Sequence, residues 1–367
     1  MTRTFLALLL LIAHFPLAAA PKRRSVQPPA PIVAPAAIVT AAREAAGAAL
    51  KAGNPAVQIA VSHHGQVIYS EAFGMSDREH ATAATSRSVM QVASLTKQFT
   101  AAAILRLAER GALSLDDRIE KFVPEFDPRG ATITVRQLLT HTSGVAGGPP
   151  NPYAQVTREQ TIAYINAQPL AFPPGTQWSY SNAGYKLLGY AIESITGKSF
   201  AEFVRTELAL PLGLIDTGVC GTSNLPLPDG YGAFQGTWKR VPAINMSVPF
   251  SAGALCSTAW DLARWSHLLA NGRVLLPESY ATMITPARLN DNTVAHFGYA
   301  FGLIADTFNG HPVVWHDGII DGFQSFLLYV SDRDLAIAVV TNAFPAPAGG
   351  DPQLIATAIA EAALATP

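Results

Sequence analysis

From residue 36 onward the chain switches between two hydrophobic periods. Residues 36–52 are alanine-rich, free of internal proline and followed by Gly53-Asn54-Pro55, which predicts a helix with its stop signal. Val57, Ile59 and Val61 then alternate with their neighbours, and beyond His63-His64-Gly65-Gln66 the alternation resumes at Val67 and Tyr69. A period of two on both sides of a glycine-containing turn predicts a β-hairpin. Phe99, Ala103, Leu105 and Leu107 return to helical spacing over residues 98–110, and Gly111 ends the run. From about 112 to 290, helical patterns alternate with long loops rich in proline and glycine. Strand patterns come back at 300–306, 312–316, 323–330 and 335–341, with Asn309-Gly310 and Asp332-Arg333 at turns. Residues 352–365 close the chain as a second alanine-rich helix. Strands at both ends and helices between them predict an α/β fold of the α+β type. One antiparallel sheet is built from both chain ends, and a mostly helical region of about 90–290 caps one edge of it.

The stretch before this body differs in character. Residues 5–20 are almost wholly apolar, follow Arg3 and end in Leu17-Ala18-Ala19-Ala20, small residues of the kind a signal peptidase accepts. A membrane span needs roughly 18 or more apolar residues, so residues 1–20 read as a signal peptide. An uncleaved anchor is the alternative, because Pro21 follows the cut and Lys22-Arg23-Arg24 place positive charge on the side to be translocated. Residues 21–35 hold Pro21, Pro28, Pro29, Pro31 and Pro35 without any hydrophobic period and read as an extended linker. Residues 36–367 form the body. The layout predicts a periplasmic or secreted protein, with no stable membrane insertion once the leader is removed.

Composition narrows the classes. Hydrophobic residues reach 49% and charged residues only 14%, against about 25% charged in ordinary soluble domains. That is ample for a large core and excludes intrinsic disorder. The formal net charge is −1; the first 24 residues carry four basic and no acidic side chains, which leaves 21 basic against 26 acidic in the rest. A mildly acidic body without a basic stripe excludes a nucleic-acid partner. Cys220 and Cys256 are the two cysteines. An even count in an exported chain fits one disulfide, two buried free thiols being the alternative for a reducing compartment.

Three short motifs carry candidate chemistry. Ser94-Leu95-Thr96-Lys97 begins a predicted helix, and residues three apart share a helix face, so the amine can reach the hydroxyl. A serine needs an adjacent base to become a nucleophile, and a lysine serves once burial and neighbouring cations leave it neutral. With 21 serines and 7 lysines, about 0.4 such pairs are expected by chance. Tyr180-Ser181-Asn182 follows the Pro173-Pro174-Gly175 turn, in a loop where side chains can converge on a cleft; a phenolate there could share a proton with Lys97. Tyr164-Ile165-Asn166 has the same spacing, but it sits in a helical run, where Tyr164 reads as a packing residue. Trp315-His316-Asp317-Gly318 is expected at a strand end, where glycine allows close approach and the histidine could be a proton donor or a cation.

In that order, Ser94-x-x-Lys97, Tyr180-x-Asn182 and His316-x-Gly318 resemble the serine hydrolases of the penicillin-recognising group. The group comprises class C β-lactamases, D-alanyl-D-alanine carboxypeptidases and the esterases that share their fold. Leu138-Leu139-Thr140-His141-Thr142-Ser143-Gly144 and Ala252-Gly253-Ala254-Leu255-Cys256-Ser257-Thr258 resemble the same group, and the likeness covers about residues 40–345. It implies Ser94 as the nucleophile that forms an acyl-enzyme, Lys97 as its base partner and Tyr180 as general base and then acid. It further implies that Asn182 holds Lys97 and the substrate, that His316 and Gly318 line the substrate site, and that the backbone amides of Ser94 and Ile319 form the oxyanion hole. The position after His316 is often threonine in members that bind a substrate carboxylate. Asp317 stands there instead, and its charge opposes such a carboxylate.

Other residues weigh less. His141 reads as a brace of a helix-to-loop turn, and Ser143-Gly144 lacks the glycine of a nucleophile elbow. His63 and His64, adjacent on a strand, are expected on opposite faces and therefore poorly placed to share a metal. Trp260 and Trp265 read as core. No metal or organic cofactor is implied, and the expected partner is a small-molecule or short-peptide substrate. The leading expectation is a serine esterase or amidase. A β-lactamase or D,D-carboxypeptidase, and a non-catalytic sensor of the same fold, are the alternatives.

Overall fold

The computed structural model describes residues 34–222, 225–235, 237–347 and 349–365; the leader and all but the last two residues of the linker lie outside the described residues. Within them the helices are α1 (Ala36–Lys51), α2 (Thr96–Glu109), α3 (Val135–Leu139), α4 (Arg158–Asn166), α5 (Asn182–Thr196), α6 (Phe200–Phe203), α7 (Ala259–Ala270), α8 (Pro277–Ile284) and α9 (Pro352–Leu364). The strands are β1 (Ala56–His63), β2 (Gln66–Asp77), β3 (Thr82–Ala83), β4 (Met90–Gln91), β5 (Gly218–Val219), β6 (Tyr231–Phe234), β7 (Thr237–Arg240), β8 (Leu255–Ser257), β9 (Ile304–Phe308), β10 (His311–Ile320), β11 (Phe323–Val330) and β12 (Leu335–Thr341).

Among the described residues, seven strands form one sheet in the order β3-β2-β1-β12-β11-β10-β9. β1 and β12 are buried on both faces, as central strands are, and they pair antiparallel from Val57↔Thr341 to His63↔Leu335. The two chain ends thus meet in the middle of the sheet, as expected.

Strand alternation sorts the core into two layers. Val57, Ile59, Val61, Ile337 and Val339 face Ala42, Ala46 and Ala49 of α1 and Ala356 and Ala360 of α9, whose methyl side chains let both helices lie close to the sheet. On the other face, Ala56, Ala60, Ala336, Ala338 and Val340 join a larger core with α2, α5 and α7, where Phe99 stacks on Trp265 at 3.9 Å between ring centres. Two buried polar side chains tie this second layer down. Gln58 Nε2 donates to the carbonyls of Thr85 (2.8 Å) and Ser88 (3.1 Å) while its Oε1 accepts from the Ala259 amide (2.6 Å). The Ser62 hydroxyl donates to the Ala263 carbonyl at 2.8 Å. Cys220 and Cys256 form a disulfide beside the β5–β8 pairing, across 36 residues of chain. On the loop-entropy account this closure contributes about 3–4 kcal/mol.

Several expectations need correction. The helical middle covers a face of the sheet, through α7 on β1 and β12, and it carries two small sheets, β4-β8-β5 and β6-β7. β9 starts at Ile304 because the chain before it turns: Gly302 has φ +72°, and a Cβ there would stand 2.6 Å from the Lys97 carbonyl oxygen. β10 runs on to Ile320, so Trp315–Gly318 lies inside the strand. Tyr164 is 39% exposed on α4 rather than packed, and Trp260 is only half-buried while Trp265 is fully buried. His64 occupies the hairpin turn with φ +48°, which brings its ring to 4.1 Å from that of His63 instead of onto the opposite face. Among the described residues no helix is long and apolar enough to cross a membrane.

Candidate active site

Ser94 lies in a single 3-10 turn, Ala93–Leu95, that feeds directly into α2. Thr96 locks this turn: its hydroxyl donates to the Ala93 carbonyl (2.6 Å) and accepts from the Leu255 amide (3.1 Å). Gly318 of β10 lies against it so closely that a Cβ would come within 2.3 Å of the Val92 carbonyl oxygen. β9 covers β10 only as far as Trp315, which leaves His316–Ile320 as a free strand edge beside Ser94.

Lys97, three residues on, is fully buried. Its Nζ lies 3.1 Å from Ser94 Oγ, 2.8 Å from Asn182 Oδ1 and 2.7 Å from the Ala252 carbonyl oxygen. Burial pushes its pKa well below the usual lysine value; the Asp317 carboxylate opposes this and the Lys186 ammonium adds to it. A neutral amine donates its two protons to Asn182 and Ala252 and turns its lone pair to the Ser94 hydroxyl. Tyr180 completes the contact set by donating to Ser94 Oγ at 2.8 Å, and Lys97 Nζ stands 4.6 Å from its ring centre. Although 40% of Tyr180 faces the cleft, its hydroxyl end is desolvated, and that raises its pKa above the ordinary phenol value. The free site therefore holds a phenol, not the expected phenolate.

His316 departs further from expectation. It is 2% exposed, and burial pushes its pKa down to about 4, so it is neutral rather than a cation. It reaches the site through Tyr299 and His141. The Ser181 amide donates to His141 Nδ1 (3.0 Å), which leaves the proton on Nε2 to be donated to the Tyr299 hydroxyl (3.0 Å). Tyr299 then donates to His316 Nε2 (3.2 Å), and His316 Nδ1–H donates to the Asp317 carbonyl (2.5 Å). All partners in this chain are neutral, and burial also pushes His141 well below the usual histidine value. His141 has φ +60° just after α3, the brace expected of it, and the loop it braces carries Tyr180. Ser181 caps α5 through the Gly184 amide (3.0 Å) and donates to the Val145 carbonyl (2.6 Å), so the same loop also sets Asn182.

A cavity of about 300 Å3 opens over Ser94, between Asn182 and Lys186 on one side and Ile319 and Asp321 on the other, with Val248 in its apolar lining. Ile319 is 46% exposed at the free edge of β10. Asp317 is not among the lining residues, and its Oδ1 lies 3.6 Å from His316 Nδ1; its charge still acts on Lys97, Tyr180 and Tyr299. Among the described residues no group of three or more His, Cys, Asp or Glu side chains is placed to hold a metal ion.

Ser94, Lys97, Tyr180 and Asn182 thus converge as their motifs predict, whereas Tyr299, Lys186 and the Ala252 carbonyl escaped the sequence reading. Lys186 alone had a legible signal, a single charge inside the apolar run Ala183–Ile192.

The chain matches the Beta-lactamase family over residues 36–361. It is 30% identical over 303 residues to "Protein flp" of Staphylococcus aureus (strain N315), an alignment covering 78% of this chain and 59% of that protein; the chain spans about three-fifths of that relative's length. The octameric penicillin-binding protein homologue from Pyrococcus abyssi is 28% identical with a TM-score of 0.76, over 89% of this chain and 77% of that one. A D-stereospecific amidohydrolase from Streptomyces sp. is 28% identical with a TM-score of 0.72, over 86% and 96%.

Proposed function

Since the chain belongs to the β-lactamase family, a serine hydrolase fold, we propose that it cleaves ester or amide bonds through an acyl-enzyme on Ser94. One observation carries this reading: Ser94 Oγ sits between a desolvated amine at 3.1 Å and a protonated phenol at 2.8 Å. In the first step Lys97 Nζ takes the Ser94 proton as Oγ attacks the substrate carbonyl carbon. The resulting oxyanion is held by the amides of Ser94 and Ile319, donors that cost no reorganisation in the reaction. As the tetrahedral intermediate collapses, Tyr180 gives its proton to the leaving alcohol or amine and is reprotonated from Lys97. Water then attacks the acyl-enzyme, its proton passes to the same pair, and Ser94 leaves as a hydroxyl. Asn182 keeps Lys97 oriented throughout. His316 acts from behind, through Tyr299.

Simple esters and amides with a free amine fit the site better than β-lactams or peptides ending in D-alanine, because the Asp317 charge reaches the reacting groups from β10 and opposes a carboxylate there. The D-stereospecific amidohydrolase among the relatives favours the amide side of this choice. The disulfide and the apolar residues 5–20 support an exported protein, periplasmic or secreted.

The test is the initial rate on p-nitrophenyl butyrate and on D-phenylalanine amide, wild type against S94A, with mass spectrometry of the quenched protein. Turnover that falls at least 10³-fold in the variant, with an acyl adduct on the Ser94 peptide, is the expected result. Equal background rates on both substrates, in a protein that hydrolyses neither penicillin G nor D-alanyl-D-alanine peptides, overturn the reading in favour of a non-catalytic sensor.

A further inference from the structure

The cavity contains a second buried lysine that the reaction above does not use. Lys186 is 4% exposed, lines the same cavity as Ser94 and Asn182, and has no hydrogen-bond or ion-pair partner among the described residues. Buried amines are otherwise found paired; Lys97, on α2, has three hydrogen-bond partners within 3.1 Å. Its ammonium opens onto an otherwise mostly apolar pocket, where an anionic group of a substrate can pair with it. Burial moves Lys186 down only to about 8, which leaves it mostly charged at neutral pH.

Its place on α5 sets which part of a substrate it meets. Asn182 and Lys186 are four apart, on one face of the helix and about one 5.4 Å turn from each other. Tyr180 lies on the other side of Asn182, before the helix begins. The leaving group must face Tyr180, its proton donor, so the acyl chain extends toward Lys186 along Val248 and Pro249. The two sides of the cavity also differ in sign, with Asp321 just past β10 and Lys186 on α5. Adjusting Lys97 is a lesser role for Lys186, since burial is the main cause of the Lys97 shift and Lys186 the last.

Building on the acyl-enzyme reading, we infer that Lys186 selects substrates whose acyl group ends in a carboxylate: half-esters or half-amides of short aliphatic dicarboxylic acids. The probe pair is p-nitrophenyl hydrogen glutarate and its uncharged isostere, p-nitrophenyl 5-methylhexanoate, assayed with the full chain. The wild type is expected to favour the glutarate ester in kcat/KM. The ratio of the two substrates should drop about 10- to 100-fold in K186M, chiefly through KM, and recover in part in K186R. A wild-type ratio at or below one overturns the inference whether or not the variants fold. So does an equal loss on both esters in K186M with a displaced pH profile, which would make Lys186 a tuner of Lys97. If the wild type hydrolyses neither ester, the acyl-enzyme reading fails separately, and glutarate binding by calorimetry decides on Lys186. Binding that is lost in K186M sustains the anion site, while absent or equal binding removes it.

Discussion

Under α1 and α9 the sheet presents Val57, Ile59, Val61, Ile337 and Val339 to alanine methyl groups. The face turned toward α2, α5 and α7 instead buries Gln58, Ser62, Lys97, His141, Ser251, Asp261 and His316 among its apolar residues. The first layer is stabilised by area removed from water, with little at stake in any one bond. In the second layer most of these polar groups are held by a partner, because an unmet one costs about 1–3 kcal/mol. That cost fixes the geometry, and fixed geometry is what a nucleophile and its base require. Stability and chemistry are thereby assigned to opposite sides of the same strands.

Substitution on the two sides should separate these roles. Lys97→Met, which removes the base and keeps the volume, should lower kcat/KM by about 10³-fold or more while the urea midpoint reports a change within about 2 kcal/mol. Ile337→Ala should do the reverse, with about 2–5 kcal/mol lost in urea titration and an unaltered kcat/KM well below the melting temperature. A comparable loss of activity in Ile337→Ala would erase the division.

Acid should act on the polar side through His316. His316 is held at about 4 in the folded chain and titrates near 6.5 when unfolded. Between these values the unfolded state binds a proton that the folded state refuses, so stability is full above pH 6.5 and falls as pH drops through 4. The loss is on the order of 2–3 kcal/mol, and calorimetry at pH 7 and 4.5 should show it reduced in His316→Gln. The smallest effect concerns Lys186, charged below about 8 and neutral above. Raising the pH from 7 to 9 should cut the preference for the glutarate ester about five- to tenfold, read as a ratio so that changes at Lys97 cancel.

The apolar side was also the easier one to read. β11 and β12 begin and end where their hydrophobic runs do, because strands buried on both faces leave an unbroken apolar signature. In β10, His316-Asp317-Gly318 interrupts the apolar run before Ile319-Ile320, so the run looked shorter than the strand is. The four contacting residues of the site were found from short spacings that survive in sequence. Tyr299 was not, since it meets His141 across 158 positions and nothing local marks that meeting. The neutral state of His316 and Tyr180 followed from burial, a property of the assembled core. Lys186 sits in a helix buried nearly all round from Ala183 to Ile192, and a charge in such a run is a question that sequence can raise.

The pairing of β1 with β12 also governs when the protein can come into being. The Thr341 hydroxyl bonds the Ala56 carbonyl across 285 positions, so the first strand waits for the last one to be synthesised. The strand that flanks Ser94, β10, is fixed in the sheet only through β11 and β12. A nascent chain lacking its final segment therefore has neither a closed sheet nor a formed cleft. Closure of the sheet and formation of the cleft are therefore one event, set by the arrival of β12.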